Sequence, residues 1–356
     1  IIGLLSDKTW FWGGRRRPFI LIGGALAALS VFLLPRIDMV ADMLGIGNLL
    51  IVAVAVALTL DISINISFNP TRSLIADVTP EGQARTRGYT WMQTVSGFWG
   101  VMAYLIGAFI DNYALISVGV VIVFLFSVVP MFFVEEPREL AAAETAAASS
   151  TDWNQLWRIF LAHGFTWLGV QSMFVYIIAF IQQHVVAGAA DAAAQSGHVI
   201  AISFAVMNVV GFLLPALVLA PLGARFGRVQ VHTACIAIMA ASYFATALFA
   251  RDAVTLYVLM ALVGIGWSAV VSLPFAIMSE KVDKSRMGFF MGLFNLSVVL
   301  PQLMSTGVGY ALKDAADKSL LFYICGACLA VSAVLWCLVS EKKTKNEATP
   351  VLAATH

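Results

Sequence analysis

Ten apolar stretches follow one another along this chain, separated only by short polar connectors. They lie near 18–35, 48–70, 91–110, 113–134, 156–183, 198–221, 229–250, 254–279, 287–309 and 319–340. A hydrocarbon core of roughly 30 Å takes about 20 residues of helix to cross. With no water there to satisfy free backbone groups, serial spans of this kind must close their own hydrogen bonds as helices. The fold class is therefore an all-α membrane protein. Composition agrees: only 12% of the residues are charged, against roughly 25% in soluble domains.

Charge tests the span count, because Lys and Arg concentrate in cytoplasmic loops. When alternate connectors are assigned to alternate sides, 17 of the 21 Lys and Arg residues fall on one side. The exceptions are Arg36, Arg251, Lys313 and Lys318. One missed or invented span would scramble this split. The side holding Arg15–Arg17 and the C-terminus is expected to be cytoplasmic, in a plasma (inner) membrane crossed many times. No basic run is interleaved with aromatics, so nucleic acid is not an expected partner. The four cysteines, Cys235, Cys325, Cys328 and Cys337, sit in apolar stretches without His or Asp companions. They read as small buried hydrophobes, and neither a metal site nor a cofactor is expected. No nucleophile elbow, phosphate loop or zinc-protease helix occurs, so an enzyme is not expected either.

The longest connector, Glu135–Asp152, is rich in Ala, Ser and Glu and has no core of its own. It reads as a cytoplasmic linker (135–155) between an N-terminal helix bundle (1–134) and a C-terminal one (156–340), with a cytoplasmic tail at 341–356. An internal repeat supports two halves. Gly3-Leu-Leu-Ser-Asp7 followed by Gly14-Arg15-Arg16 has a counterpart in Gly223-Ala-Arg225-Phe-Gly227-Arg228. Both are tight, basic, glycine-bearing turns. Repeats of this kind build transporters whose substrate site lies near the midplane, where the halves meet. Six spans follow the linker, while four and the apolar stub Ile1–Leu5 precede it. The expectation is a twelve-helix plan with helix 1 and most of helix 2 missing from this chain.

The turn from Gly3 to Arg17 resembles the signature of the major facilitator superfamily. Asp7 with Gly14-Arg15-Arg16-Arg17-Pro18-Phe19-Ile20 is similar, more specifically, to the sucrose–proton symporters and their bacterial relatives in the glycoside-pentoside-hexuronide group. Leu60-Asp61, Asn65, Pro70, Arg72, Leu74, Ala76 and Asp77 also resemble that group, as do Gly292, Asn295, Pro301 and Gln302. The chain departs from the pattern at Asn69, where a Gly is usual before the Pro, and at Ile64, where an Asn pair is often completed. The resemblance implies two pseudo-symmetric six-helix bundles that carry a sugar by alternating access, with a proton as the coupling ion. It also implies a small-molecule sugar and the lipid bilayer as partners, and a monomer.

Within the span that opens at 48, Asp61 lies deep in apolar sequence, where a charge costs roughly 2.5–3.5 kcal/mol or more. On a helix, Asn65 falls about 40° from Asp61 and Arg72 about 20°, with Arg72 roughly 16 Å further along the axis. The stripe is too long for a direct Asp61–Arg72 salt bridge. Asp61 is either tied down by neighbouring polar groups, or takes part in proton coupling or binds a sugar hydroxyl, and Arg72 is either a coupling residue or a snorkelling end residue. Sugar recognition needs amides and flat apolar faces. The candidates are Asn65, Gln93 and Trp99, Trp167 and Gln171, Trp267, and Asn295. The gating motif comprises Gly3, Asp7, Gly14, Arg15, Arg16 and Arg17, in which Asp7 can pair with an Arg or accept from a helix N-terminus across the bundle seam. The second basic turn has Ala224 near the place of the acid, so its latch is expected to be weaker. Asp77 and Glu81 with Arg85 and Arg87 are expected to be mostly a solvated charged loop. His163 reads as a satisfied interfacial histidine, with a proton relay as the alternative.

The function expected is import of a glycoside, a sucrose- or maltose-like disaccharide, with protons. Sodium is the rival ion. An exporter of amphiphilic compounds and a non-transporting receptor or scramblase are the rival classes, and the polar residues at 61–72 and 295 favour the sugar.

Overall fold

The computed structural model describes residues 2–110, 112–136, 151–188 and 191–341. Residues 137–150, the middle of the expected linker, and 342–356, nearly all of the expected tail, lie outside them. Among the described residues the chain is helical, and the only β pairing is the isolated bridge between Phe11 and Gly14. The helices are α1 (Ile2–Lys8), α2 (Arg17–Leu33), α3 (Ile37–Leu44), α4 (Leu49–Val78), α5 (Gln83–Phe109), α6 (Asn112–Val128) and α7 (Trp153–His184). They continue as α8 (Ala192–Leu214), α9 (Ala220–Phe226), α10 (Arg228–Phe249), α11 (Ala253–Val270), α12 (Leu273–Ser279), α13 (Met287–Lys313) and α14 (Leu320–Trp336).

All ten expected spans are helical. Eight helical runs among the described residues are long and apolar enough to cross a membrane. The other two are α5, whose first turns carry Arg85 and Arg87, and α14, which has 17 residues. Several ends fall outside the apolar stretches. Helix α4 runs on to Val78 and α5 begins at Gln83, because an apolar count stops at the first charge while a helix stops at a cap. Pro70 stands inside α4 and Pro301 inside α13 without ending either helix. Pro215 opens a π-helical turn, Pro215–Leu219, that joins α8 to α9.

Lipid supplies no hydrophobic drive for helix pairing, so close approach must come from small residues. Helix α2 packs between α4 and α6 in this way: a Cβ on Gly23 would strike Ser63 O at 2.7 Å, and one on Gly24 would strike Ser127. Helix α7 packs on α14 through Gly169, whose missing Cβ would lie 2.9 Å from Cys325 O. There Thr166 Oγ1 and Ser332 Oγ are 2.7 Å apart, and Ser332 also donates to Ala162 O. The seam between earlier and later helices is made by α5 with α8, α4 with α13, and α1 with α13. It matters most for function, because the charged turns and the polar interior both meet it.

Candidate functional site: two charged latches and an aromatic ladder

The turn before α2 is tight for a geometric reason. Phe11 and Gly14 exchange backbone hydrogen bonds at 3.2 Å, with Trp12 and Gly13 at positive φ between them. Gly14 leaves room for Glu136, since a Cβ there would sit 2.5 Å from Glu136 Oε1. Glu136 thus reaches the N-terminus of α2 and accepts from the backbone N–H groups of Arg15 (2.8 Å), Arg16 (3.0 Å) and Arg17 (2.7 Å). A carboxylate on free N–H groups at a helix start is favourable on both hydrogen-bond and dipole grounds.

Arg16 is fully buried behind this turn. It donates to Asp7 at 2.6 Å, to Asp77 at 2.9 Å and to Ser6 at 2.5 Å. Burial opposes its charge, but Asp77 and Asp7 outweigh burial and hold its proton more tightly than in a free arginine. Arg15 adds a 3.2 Å bond to Asp77, while the Arg17 side chain donates to Gly13 O within its own turn. Asp7 spans the seam: its two oxygens also accept from Gly288 N (2.9 Å) and Phe289 N (2.7 Å), the first turn of α13. Gly3 and Gly288 make this possible. A Cβ on Gly3 would overlap Gly288 O, and one on Gly288 would overlap Gly3 O.

The later half repeats this arrangement, and the expectation of a weaker latch there is corrected. Ala224 does replace the acid within the turn, but Glu280, at the end of α12, replaces it in space. Glu280 accepts from both terminal nitrogens of Arg228 at 2.6 Å. Glu341 pairs with Arg228 Nε and accepts from Val229 N at 3.2 Å, as Glu136 does at α2. Glu280 also crosses the seam, accepting from Gly82 N at 2.7 Å at the start of α5. Burial works against the Glu280 carboxylate, and the bonds and charge of Arg228 overcome it, keeping the acid below its ordinary range. Sequence reading missed Glu280 because its partner lies 52 positions away; the matching place of Asp77 at the end of α4 was the available clue.

The expected solvated loop is corrected too. The Asp77 side chain is 2% exposed and that of Arg85 1%. Arg85 donates to Ala76 O and Thr79 O, closing the end of α4, and reaches Ser279 O at 3.4 Å across the seam. Only Glu81 and Arg87 are exposed as foreseen.

Deeper along the same seam lies Arg72. Its guanidinium is clamped between the rings of Phe68 (3.7 Å) and Phe275 (3.9 Å), one from each half. No carboxylate among the described residues pairs with it, and its Nε has no partner. It is therefore not a residue reaching for the headgroups. From Arg72 a ladder of rings runs through the later half. Phe275 meets Phe294 edge-on at 5.3 Å, and Phe294 stacks on His163 at 4.7 Å and 16°. Trp167 then meets Trp267 at 5.9 Å, and Trp267 meets Phe174 at 5.3 Å. His163 is corrected from an interfacial to a fully buried residue: its Nε2 accepts from Trp167 Nε1 at 2.9 Å, and its Nδ1 has no partner.

One turn beyond Trp167, Gln171 Oε1 accepts from Gln302 Nε2 at 3.2 Å, setting a pair of amides beside the ladder. Asn295, next to Phe294, is half-buried. Other candidates are placed elsewhere. Trp99 packs on Phe98 and on Phe126 of α6, away from the ladder. Gln93 is half-buried on α5, next to Thr94, whose hydroxyl accepts from Ala216 N. Asp61 and Asn65 are exposed on α4, and Asn65 Nδ2 bonds back to the Asp61 carbonyl at 2.9 Å. The structure thus links Arg72, at the seam, through Phe275, Phe294 and His163 to Trp167 and Trp267 of the later half, and leaves Asp61 apart from them.

Among solved structures, the chain is similar to the E. coli fucose:proton symporter FucP, with a TM-score of 0.69 at 14% identity over 96% of this chain and 87% of that one. It is similar to the proton:xylose symporter XylE bound to 6-bromo-6-deoxy-D-glucose, at 0.69 and 14% over 95% and 83%. A bacterial homologue of the iron transporter ferroportin, in an outward-facing state, matches at 0.65 and 14% over 95% and 87%. At these identities the likeness shows the fold alone, that of the major facilitator superfamily. No curated protein sequence matches. Residues 1–294, however, match the sequence pattern of a family described as MFS/sugar transport protein, and on that match the chain belongs to this family of membrane transporters.

Proposed function

We propose that this protein imports a glycoside, a sucrose- or maltose-like disaccharide, together with protons, by alternating access. The observation that carries the reading is Arg72: an unpaired guanidinium held between Phe68 and Phe275 at the seam, beside rings and amides suited to a sugar. An unpaired charge within a membrane-spanning helix is costly and marks a functional site by default. Trp167, Gln171 and Asn295 are its sugar-binding companions. Asp61 is a second coupling candidate, displaced from the ladder but still in an apolar span.

In this reading residues 1–134 and 156–340 rock as two bodies about the ladder. Among the described residues, every polar tie between them except Thr94 to Ala216 lies at the end that carries Arg16 and Arg228. The conformation is therefore closed at the basic end, which the charge distribution assigns to the cytoplasm. Asp7 and Glu280 are the latches that must open for release.

The test is uptake of radiolabelled sucrose and maltose into proteoliposomes under an imposed inward proton gradient. Accumulation of either sugar, lost in Arg72→Ala, is the expected result. Uptake that follows sodium at fixed pH would replace the coupling ion. No uptake of either sugar, with cells gaining resistance to amphiphilic compounds instead, would refute the glycoside reading.

A further inference from the structure

The later half holds a buried base for which the proposed cycle has assigned no role. Helices α7 to α14 contain not one Asp or Glu; every acid of that half stands in a connector or at a helix cap. If a proton crosses this half, a carboxylate within the helices is not what carries it. His163 sits ten residues into α7, about 15 Å from the basic end at about 1.5 Å per residue, fully buried on the ladder.

Its hydrogen bond defines its state. An indole N–H can only donate, so His163 Nε2, 2.9 Å from Trp167 Nε1, must be the acceptor. The ring is then neutral with its proton on Nδ1, which has no partner. A second proton can enter only at Nε2, and an imidazolium has two donors and no acceptor. Protonation and the Trp167 bond exclude each other. We infer that His163 is a proton-binding group of the transport cycle, and that its proton competes with the Trp167 indole N–H for the Nε2 lone pair.

The consequence reaches the sugar site, because Trp167 is the half-buried ring that meets Trp267 and lies one turn from Gln171. A proton on Nε2 breaks the bond that fixes this ring and frees it to turn. The cation so formed faces Phe294, stacked at 4.7 Å and 16°, whose ring face favours positive charge. The groups that act on His163 from neighbouring elements are His232 of α10 and Arg72 of α4, and the Arg72 guanidinium opposes a second positive charge beside it. Helix α14 contributes the hydroxyl of Ser332, bonded to Ala162 O and Thr166 beside it, and α13 contributes Phe294. In the proposed cycle the proton is taken from water on one side of the membrane and returned to water on the other. No other bond changes.

This inference rests on the proton-coupled reading above, so its test has one arm that needs sugar and one that does not. In proteoliposomes of the full chain, His163→Gln should reduce gradient-driven accumulation of sucrose or maltose to an inside-to-outside ratio of about one, all that a carrier without a coupling ion can reach. Sugar exchange in that variant should lose its dependence on pH. Trp167→Phe removes the competing donor and should move the pH profile of uptake to higher pH. In the second arm, tryptophan emission is followed in nanodiscs without sugar as the pH is lowered stepwise from about 8. An imidazolium beside an indole quenches it, so wild type should show a step that both variants lack. Wild-type accumulation and pH dependence in His163→Gln overturns the inference, as does the absence of an emission step in wild type. A step without any sugar uptake in wild type upholds His163 as the proton site and refutes the glycoside reading instead.

Discussion

Replacing Glu280 with Gln should loosen the basic end of the seam without unfolding either half. In the structure Glu280 makes a bidentate pair with Arg228, both bonds 2.6 Å, and accepts from Gly82 N at 2.7 Å. Only the last crosses the seam. A hydrogen bond to a charged acceptor contributes about 1.5–3 kcal/mol, and its place at the start of α5 adds about 0.3–1 kcal/mol from the helix dipole. A glutamine oxygen retains roughly half of the bond. The net loss across the seam is then about 1–2 kcal/mol, a factor of about 5–30 in the balance between closed and open basic ends. Arg228 keeps Glu341, so it is not left as an unpaired buried charge. The assay is the distance between spin labels at exposed positions 87 and 285, measured in nanodiscs. Wild type should give mainly the short distance, and Glu280→Gln a second, longer population. Glu341→Gln is the control, because Glu341 bonds Arg228 and Val229 within one half and should leave the distribution alone. If Glu280→Gln leaves the distances unchanged, or Glu341→Gln changes them equally, the seam-crossing role of Glu280 is wrong.

Other outcomes follow from the same geometry. Gly288→Ala places a methyl where Gly3 O, Arg16 Nη1 and Asp7 Oδ1 already lie, and overpacking of this kind costs about 1–3 kcal/mol. It should lengthen the same distance and lower the melting temperature, whereas Gly292→Ala, with nothing within 4 Å, should do neither. Arg72→Lys keeps the charge but loses the flat guanidinium that two rings clamp; transport should fall nearly as far as in Arg72→Ala, read as initial uptake rate at equal protein level. Because Arg228 holds Glu280 below the ordinary carboxylate range, its contribution is fully present above that range and is lost only as pH falls through the lowered value. The spin-label distance should therefore stay constant from about pH 8 to pH 5, where histidine titrates, and a change within that window would contradict it.

Much of this was legible along the chain because a membrane makes sequence speak locally. A helix in lipid must be apolar over its whole length, so the ten spans showed without any knowledge of their neighbours, and the charge alternation ordered them. The tight turn, the seam-spanning geometry of Asp7 and the polar character of Arg72 could all be read from short motifs. Pairings over long separation could not. Ala224 correctly suggested that the second turn lacks an acid, yet Glu280, from the far end of another helix, stands where that acid would act. Asp77 and Arg85 look like a wet loop in sequence and are buried, because exposure depends on what packs against a segment. Asp61 and Arg72 share a stripe by angle, but the seam receives only Arg72. His163 reads as interfacial along the chain; only the packing of Phe294 and the Trp167 bond set it on the ladder. The sequence by itself determined that the chain spans a membrane as helices and which turns carry its charge. The tertiary structure decided which charges meet and which stand alone, because that depends on helix faces and crossings that no single span encodes.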